Sequence, residues 1–215
     1  MSRSYRMICP ISRALDRVGD RWTLLILRDL HAGPMRFGEL QGGLPGAASN
    51  LLVTRLQKLQ SDGLVERDGP LYQLTDLGLT TDGVLWELAQ LGGRMPPDPD
   101  VRRPSHLRLA AVTLQSALRA VAAGGPVWVG EMVMDGESFT IRLDGASTTV
   151  RYAAPHEPTI VVHTSYEPFM AAVGGEIPLA EFRSKHVRIE GDPQLAKAFQ
   201  GLMEKVMVEC FDASV

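Results

Sequence analysis

A break rich in glycine and proline separates two apolar segments, and it constrains the fold more than any other feature of the chain. The break reads Gly42-Gly43-Leu44-Pro45-Gly46. Two adjacent glycines followed so closely by a proline are not expected in the middle of one helix. The segment after the break repeats leucine at helical spacing, at Leu52, Leu56 and Leu59. The pattern therefore predicts a helix, a turn and a second helix.

The second helix has a polar face opposite these three leucines, which we call the leucine stripe. At roughly 100° per residue, the opposite positions, here called the outer face, are Asn50, Thr54, Gln57 and Ser61, with Val53 and Lys58 beside them. Asparagine and glutamine can pair bidentately with adenine, and a threonine methyl suits a thymine methyl. The pattern indicates base reading in a major groove, although any small helical bundle also has a solvated helix face.

Separate predictions concern Ser49 and Arg55 in this helix. Ser49 is predicted to be its N-cap. Arg55 lies closer to the leucine stripe than to the outer face. We therefore expect Arg55 to reach a phosphate or to tie two helices together, rather than to read a base.

A short hairpin is predicted directly after the second helix. Gly63 ends the helix, and residues 64–67 and 71–74 have the composition of two strands around Asp68-Gly69, a pair favoured in tight turns. A helix-turn-helix that leads into a hairpin is a winged helix.

Charge is distributed unevenly along the chain. The whole protein has a formal net charge of -3, yet nine basic residues stand against four acidic ones up to residue 58, an excess of five. A protein that meets phosphates with one end needs basic charge only there. An incidental imbalance on a solvated surface is the alternative.

Length and composition predict two globular domains. The chain has 215 residues, and we expect a domain over residues 1–93, a linker rich in proline and charge over 94–105, and a second domain over 106–215. No run approaches a membrane span, and the first residues lack the apolar core of a signal peptide, so we expect a cytoplasmic protein. The two cysteines, Cys9 and Cys210, are far apart in sequence, and a structural disulfide is not expected.

Helices are also predicted on both sides of the winged helix. One should run from Cys9-Pro10 to Val18, and a second, capped by Asp20, from Trp22 to Leu30. One long helix should follow the hairpin, carrying Leu77, Val84, Leu85, Leu88 and Leu91. This helix has more apolar surface than one winged helix can cover. We therefore expect a homodimer that places two recognition helices about one DNA turn apart.

Several motifs of residues 7 to about 93 resemble the HxlR branch of the MarR-like winged-helix transcription regulators. The motifs are Cys9-Pro10, Gly19-Asp20-Arg21-Trp22, Gly33-Pro34, Leu44-Pro45-Gly46, Asp62-Gly63-Leu64-Val65 and residues 72–78. The resemblance implies homodimers that bind double-stranded operator DNA, usually as repressors and sometimes as activators. The candidate DNA contacts are Arg36, Ser49, Asn50, Thr54, Arg55, Gln57, Lys58 and Arg67. Two features depart from the family, namely an outer face poor in basic residues and a short wing with Arg67 as its single cation.

Cys9 is a candidate redox residue. It stands at the start of a helix, where free N–H groups and the helix dipole favour a thiolate. In the resembled family, a cysteine at this position often senses oxidants or electrophiles by forming a disulfide between subunits or by alkylation. The alternative is a small, half-buried residue that packs under the dimer helices.

The remainder of the chain is predicted to be an α+β domain with a mainly antiparallel sheet. A helix capped by Ser105 should end at Gly124-Gly125, and strands are expected over residues 127–134, 138–143, 148–152 and 159–163. Short helices around 166–173 and 179–183, a strand over 186–190 and a last helix over 194–208 should follow. Alternation places Trp128, Met132 and Met134 on one face of their strand.

This order of elements resembles the sterol-carrier-protein domain, in particular at residues 169–177 and 187–192. In that family, sheet and helices enclose an apolar tunnel for lipid-like molecules. The resemblance implies a ligand-binding lining of Trp128, Met132, Met134, Phe139, Ile141, Phe169, Met170 and Phe182. The alternative is that these residues fill an ordinary core.

No pattern of catalytic or metal-binding residues is present in the sequence. The five histidines lack metal-ligand spacing, and no nucleophile elbow, phosphate loop or dinucleotide motif occurs. We therefore expect no enzyme, no metal and no cofactor. The interpretation is a dimeric regulator of transcription that responds to a hydrophobic small molecule and has no membrane partner. The alternatives are a thiol-based sensor acting through Cys9, and a carrier of a hydrophobic metabolite that binds no DNA.

Overall fold

A computed structural model describes residues 4–93, 95, 107–121, 127–145 and 147–211. The described residues form helices and two sheets, which confirms the predicted α+β class. They divide into two compact units: the first contains the described residues up to 85 together with 107–109, and the second contains the others. The domain boundaries expected at 93 and 106 stay predictions, and apart from Met95 the expected linker lies outside the described residues. No helix among the described residues is long and apolar enough to cross a membrane.

Two helices open the first unit, as predicted. Helix α1 is Pro10–Val18 and helix α2 is Thr23–His31. The Asp20 carboxylate accepts hydrogen bonds from the backbone N–H groups of Trp22 and Thr23, at 3.0 and 3.3 Å. Asp20 therefore satisfies donors at the start of α2, as expected, although Trp22 occupies the N-cap position and the helix begins at Thr23 rather than at Trp22.

The helix-turn-helix is present as expected. Strand β1 (Met35–Arg36) leads into α3 (Phe37–Gly43), and α4 (Ser49–Ser61) follows the turn. The prediction that Ser49 is the N-cap was wrong, because Ala48 occupies the cap position and Ser49 is the first helical residue. The Ser49 hydroxyl accepts a hydrogen bond from the Gln41 amide instead, and this bond connects α3 to α4. Strand β1, only two residues long, carries no pattern that sequence alone could identify.

The predicted wing is confirmed. Strands β2 (Val65–Asp68) and β3 (Leu71–Leu74) pair antiparallel, and β1 adds to β3 on the other side, giving the order β1-β3-β2. Gly69 has φ +55° in the turn, a conformation that favours glycine.

The prediction of one long helix after the wing was wrong, because the structure has two. They are α5 (Asp76–Leu79) and α6 (Asp82–Gly93). The hydroxyls of Thr80 and Thr81 donate to the carbonyls of Leu77 and Gly78, each at 2.7 Å. Side chains of this type compete with backbone bonding, so the two threonines account for the interruption.

Helix α7 (Leu109–Val121) precedes the second sheet. The Gln115 side-chain oxygen accepts a hydrogen bond of 3.0 Å from the backbone N–H of Val150. Ala111, Leu114 and Leu118 are buried. The predicted cap Ser105 and the predicted end at Gly124-Gly125 lie outside the described residues.

Five strands form the sheet of the second unit in the order β6-β5-β4-β7-β8. They are β4 (Trp128–Met134), β5 (Glu137–Leu143), β6 (Thr148–Arg151), β7 (Ile160–Thr164) and β8 (Arg188–Gly191). The expected meander is confirmed for β4, β5 and β6, whereas β4 and β7 pair in parallel. The register pairs Met132 with Phe139 and with Val162, so these three side chains share one face of the sheet.

Three helices complete the second unit: α8 (Tyr166–Val173), α9 (Leu179–His186) and α10 (Pro193–Phe211). The predicted strand start at His186 was wrong, because α9 includes that residue and β8 begins at Arg188. Helix α10 packs on this sheet, where the Phe199 ring meets the Trp128 ring edge-on at 5.6 Å. Phe182 and Met207 are buried in one cluster with Ala172.

Candidate nucleic-acid interface and apolar pocket

Helix α4 has one sealed side and one open side, as its sequence predicts. The leucine stripe is buried, with each of its three side chains at most 1% exposed. Every residue of the outer face is exposed. The side chains that could read bases are therefore free of the core, while the leucines fix the rotation of the helix.

Local hydrogen bonds orient the first turns of the outer face. The Asn50 side-chain oxygen accepts from the backbone N–H of Leu51 at 2.8 Å. The Thr54 hydroxyl donates to the Asn50 carbonyl at 2.9 Å. An amide oxygen has a second lone pair and its nitrogen has two N–H donors, so Asn50 retains hydrogen-bonding capacity towards solvent.

Both basic side chains of α4 pair with carboxylates. Arg55 Nε lies 3.1 Å from Asp20 Oδ1, which ties α4 to the residues before α2. Lys58 Nζ donates to Asp62 Oδ2 at 2.8 Å. We expected Arg55 either to reach a phosphate or to tie two helices together, and this geometry favours the second role.

Two further cations lie outside α4. Arg67 Nε donates to the Gly69 carbonyl at 2.9 Å, and its guanidinium lies 5.5 Å from the centre of the Tyr72 ring. Both contacts hold Arg67 along the wing. Arg36 is exposed immediately before α3, where its backbone N–H donates to Glu39 Oε2 at 2.6 Å.

Large apolar side chains are exposed at the start of the chain. Helix α1 contains no buried residue, and Ile8 and Ile11 are 96% and 70% exposed. The Asp16 carboxylate accepts hydrogen bonds from the backbone N–H of Tyr5 and from the Ser4 hydroxyl, and these bonds lower the pKa of Asp16. They also fasten the segment before α1 to that helix. The exposed apolar residues of this region are Tyr5, Met7, Ile8, Ile11 and Leu15.

Helix α6 carries a second set of exposed apolar side chains. Val84, Leu88 and Leu91 are 50%, 44% and 51% exposed. Their spacing of four and three residues places them on one side of the helix. A helix stripe of this kind is unfavourable in water unless another surface covers it.

Cys9 occupies the N-cap position of α1 and is half-buried. Hydrogen bonds from the backbone N–H groups of Ser12 and Ile11, and from the Ser12 hydroxyl, lower the pKa of the Cys9 thiol. The expected thiolate-favouring environment is therefore present. The side chain of Cys210 lies outside the part of the chain that the structure describes.

The second unit contains an apolar pocket between the sheet and helices α8, α9 and α10. Its empty volume is about 530 Å³, a figure that includes solvent at the open mouth. Met132, Phe169 and Phe182, three of the residues expected to bind ligand, line it. The structure brings these three side chains together from a strand and two helices.

The other five expected ligand residues do not line this pocket. Trp128, Met134, Phe139 and Ile141 are buried in the core. Met170 is 43% exposed on α8. Sequence reasoning did not identify the lining contributed by α10, although its spacing of four residues was visible at Phe199, Met203 and Met207.

Polar groups also meet the pocket. The Thr164 hydroxyl oxygen is buried and has no hydrogen-bond partner among the described residues. Arg183 and Glu204 form an ion pair with each other, and their side chains are 47% and 43% exposed. The charged groups therefore lie at an edge that solvent reaches, whereas the threonine oxygen does not. Among the described residues, no group of three or more histidine, cysteine, aspartate or glutamate side chains could hold a metal ion.

Comparison with known protein families gives one match for each half of the chain. Residues 17–98 match the HxlR-like helix-turn-helix family, and residues 114–204 match the SCP-2 sterol transfer family. The first match covers the helix-turn-helix and the wing. The second covers all five strands of the second sheet and every described pocket residue except Met207.

Individual relatives match the first half. An uncharacterised HTH-type transcriptional regulator of Synechocystis sp. is 35% identical over 92 residues, which are 40% of this chain and 68% of the relative. The uncharacterised HTH-type transcriptional regulator YvaP of Bacillus subtilis is 34% identical over 39% of this chain and 84% of its own length. The crystal structure of quinone-bound YodB from B. subtilis aligns with 40% of this chain and 100% of its own at 32% identity and a TM-score of 0.39.

Proposed function

This chain is a transcriptional regulator of the HxlR-like helix-turn-helix family with a C-terminal domain of the SCP-2 sterol transfer family, and we propose that it is a dimeric repressor whose affinity for operator DNA changes when it binds a hydrophobic molecule. The observation that carries the DNA-binding part is the geometry of α4. Its leucine stripe is buried while its outer face is exposed. A helix held in this way offers polar side chains to a major groove without losing its packing.

The proposed contacts fall into two classes. Asn50, Thr54 and Gln57 read base edges, since amides and hydroxyls can distinguish base pairs in the major groove. Ser49 and Arg36, which are exposed close to the start of helices α4 and α3, bind phosphates and set the register.

The remaining cations have subordinate roles in this proposal. Lys58, paired with Asp62, and Arg67, bonded to the Gly69 carbonyl, exchange these partners for phosphates when DNA approaches. The exchange is feasible because a single contact of either kind contributes only about 1 kcal/mol. Arg55 keeps its pair with Asp20 and positions α4.

Dimerisation uses the exposed apolar residues of the first unit and of α6. Burying them against a second copy removes apolar surface from water. A two-fold dimer presents two copies of α4 to successive major grooves. Sequence selectivity then requires an operator with two related half-sites.

The response to a ligand belongs to the pocket of the second unit. A molecule held there changes DNA affinity only if it binds more tightly to one arrangement of the dimer than to the other. Repression that is relieved by the ligand corresponds to a preference for the arrangement that does not fit the operator.

A shift assay on DNA from the gene's own promoter region, titrated with salt, tests the DNA-binding part. We expect tight, sequence-selective binding that weakens steeply as salt rises, because phosphate contacts release counterions. Asn50→Ala and Gln57→Ala should each weaken specific binding about tenfold while leaving non-specific binding unchanged. Gln60→Ala, an exposed glutamine in the last turn of the same helix, is the matched control.

The same assay separates the regulator from a carrier of a hydrophobic metabolite. A carrier that uses the winged helix only for dimerisation would bind no DNA even at low salt. Equal effects of Gln57→Ala and Gln60→Ala would remove the outer face from the proposal.

Cys9 supports a second candidate function, regulation by thiol oxidation or alkylation. The observation in its favour is the lowered pKa of the thiol at the N-cap of α1. If Cys9 is the sensor, diamide or a quinone should release the DNA from the wild-type protein and not from Cys9→Ser. An unchanged response in Cys9→Ser would exclude this function.

A further inference from the structure

We propose that the pocket of the second unit selects a neutral, mainly apolar molecule that carries one hydrogen-bonding oxygen, and that Thr164 recognises this oxygen. The inference rests on the proposed function of the pocket as a ligand site and specifies the chemistry of the ligand. It derives from the lining of the pocket, the burial of one hydroxyl and the position of the charged residues.

The lining is almost entirely apolar. Val162 and Ile189 contribute from neighbouring strands, and Phe169, Phe182 and Phe199 contribute from three different helices. A surface of this kind binds hydrocarbon or aromatic groups through apolar burial. It cannot hydrogen-bond a polyhydroxylated or zwitterionic molecule, which would lose its water without compensation.

Four described lining residues are polar, namely Gln200, Arg183, Glu204 and Thr164. Of these four, Thr164, which ends β7, is the one with a buried polar atom that has no hydrogen-bond partner among the described residues. Leaving such a group unpaired is unfavourable, and native structures usually satisfy it. Because Thr164 lines the pocket, a polar atom of a bound molecule is the natural partner. A hydroxyl both donates and accepts, so an alcohol, a ketone or an ester would satisfy it.

The charges argue for a neutral ligand. Among the described lining residues, the charged side chains are Arg183 and Glu204, and they already pair with each other. A carboxylate bound at Thr164 would have to give up its hydration for one hydroxyl, at high energetic cost. Two charges of opposite sign at the edge also give neither an anion nor a cation an advantage.

The volume limits the size of the ligand. A water molecule takes about 30 Å³ of liquid volume, and the pocket has about 530 Å³ including its open mouth. The quotient of these two volumes is roughly 18, an upper limit on the number of heavy atoms because solvent at the mouth is included. An aromatic ring with a short chain and a terminal oxygen lies below this limit.

Three probes of nearly equal size test the proposal: 4-phenylbutan-1-ol, pentylbenzene and 4-phenylbutanoate. The full-length protein carries ¹³C-labelled methionine methyl groups, and binding is followed by NMR. Met132, Met203 and Met207 line the pocket and report binding. Met35, buried in the first unit, reports any general effect of the probe.

Thr164→Val removes the hydroxyl and keeps the shape of the side chain. We expect the substitution to weaken binding of 4-phenylbutan-1-ol about fivefold and to leave binding of pentylbenzene unchanged or slightly tighter. The carboxylate should bind most weakly to both proteins. Thr149→Val is the matched control, since Thr149 lies on the opposite face of the sheet from the buried Thr148 and Val150. Thr164→Ser retains the hydroxyl and should retain the preference for the alcohol. It therefore tests the role of the hydroxyl even if the valine variant does not fold.

The outcomes separate this inference from the proposed function. If no probe shifts the pocket methionines, the pocket is a closed core, and the ligand-binding part of the proposed function fails together with the inference. If the probes bind but Thr164→Val affects the alcohol and pentylbenzene equally, or if the carboxylate binds most tightly, only the inference fails.

Discussion

Arg55 and Asp20 join helix α4 to the start of α2, the helix that precedes the helix-turn-helix. The distance from Arg55 Nε to Asp20 Oδ1 is 3.1 Å, and the same aspartate oxygen accepts hydrogen bonds from the backbone N–H groups of Trp22 and Thr23. One carboxylate therefore caps α2 and fixes α4. Both side chains are about three-quarters buried, so solvent screens the pair less than an ordinary surface pair.

Removing this carboxylate should destabilise the first unit. We expect Asp20→Ala to lower the free energy of unfolding by about 1–2 kcal/mol, because the cap and the ion pair are lost together. Urea denaturation followed by circular dichroism measures the change. Asp62→Ala is the control, since the Asp62 carboxylate forms an ion pair with Lys58 that is buried to a similar degree. Among the described residues it accepts no backbone N–H group, so only an ion pair is lost and the cost should stay below about 1 kcal/mol. Equal losses in the two variants would contradict the role given to Asp20.

A charge on the exposed apolar surface of α1 should abolish the proposed dimer. Ile11 is 70% exposed in the single chain, and Ile11→Glu would place a carboxylate in an apolar interface without a partner. We expect a shift from dimer to monomer in size-exclusion chromatography with light scattering. Leu88→Glu on α6 should have the same effect.

The control for these variants is Val127→Glu. Val127 is 73% exposed immediately before β4 in the second unit, and its replacement should leave the mass unchanged. A dimer that persists in both Ile11→Glu and Leu88→Glu would exclude the proposed interface.

The Cys9 thiol should react at a lower pH than an ordinary cysteine. Hydrogen bonds from the N–H groups of Ser12 and Ile11 and from the Ser12 hydroxyl lower its pKa. The thiolate is the reactive form, so the folded protein has more of it at neutral pH than the unfolded chain has. The measurement is the rate of iodoacetamide alkylation against pH in a Cys210→Ser background, for folded protein and for protein in urea.

Ser12→Ala should move the alkylation profile of the folded protein part of the way back to higher pH. Only part of the shift should be lost, because the backbone N–H groups remain and the Ser12 backbone contributes most. Coincident profiles for the folded and the unfolded protein would show that the N-cap position does not activate the thiol.

Sequence periodicity predicted the elements whose pattern is local. The leucine stripe of α4, the glycine of the wing turn and the alternation along β4 each depend on neighbours a few residues apart. The burial and the strand pairing observed agree with these patterns. The break between α5 and α6 was missed, because the apolar spacing continues across it while two threonine hydroxyls take the helix carbonyls.

The pocket lining was predicted only in part, because it depends on which side of the sheet the helices cover. Met132 and Phe139 share a face, yet only Met132 borders the pocket. Phe139 instead lies 5.5 Å from the Tyr152 ring, away from the pocket. Alternation assigns a residue to a face but does not say which helix packs over it.

Gly130 should be intolerant of any side chain, because the Trp128 ring occupies the place that a side chain would take. A Cβ atom at Gly130 would lie 2.2 Å from Trp128 Cζ3 and 3.2 Å from Ile160 Cγ1. Trp128 would have to move, and its edge-on contact with Phe199, a residue of the pocket wall, would be lost. We expect Gly130→Ala to destabilise the second unit by about 1–3 kcal/mol and to shift the tryptophan fluorescence.

Gly201→Ala is the matched control for this substitution. Gly201 lies within α10, and a Cβ atom there would meet nothing within 4 Å. Alanine in a helix is more favourable than glycine by roughly 0.5–1 kcal/mol, so this variant should be slightly more stable than the wild type. Opposite signs for the two Gly→Ala changes, measured by thermal denaturation, would separate the steric effect at Trp128 from the general effect of replacing glycine. A stabilised Gly130→Ala protein would mean that the ring does not cover the strand as described.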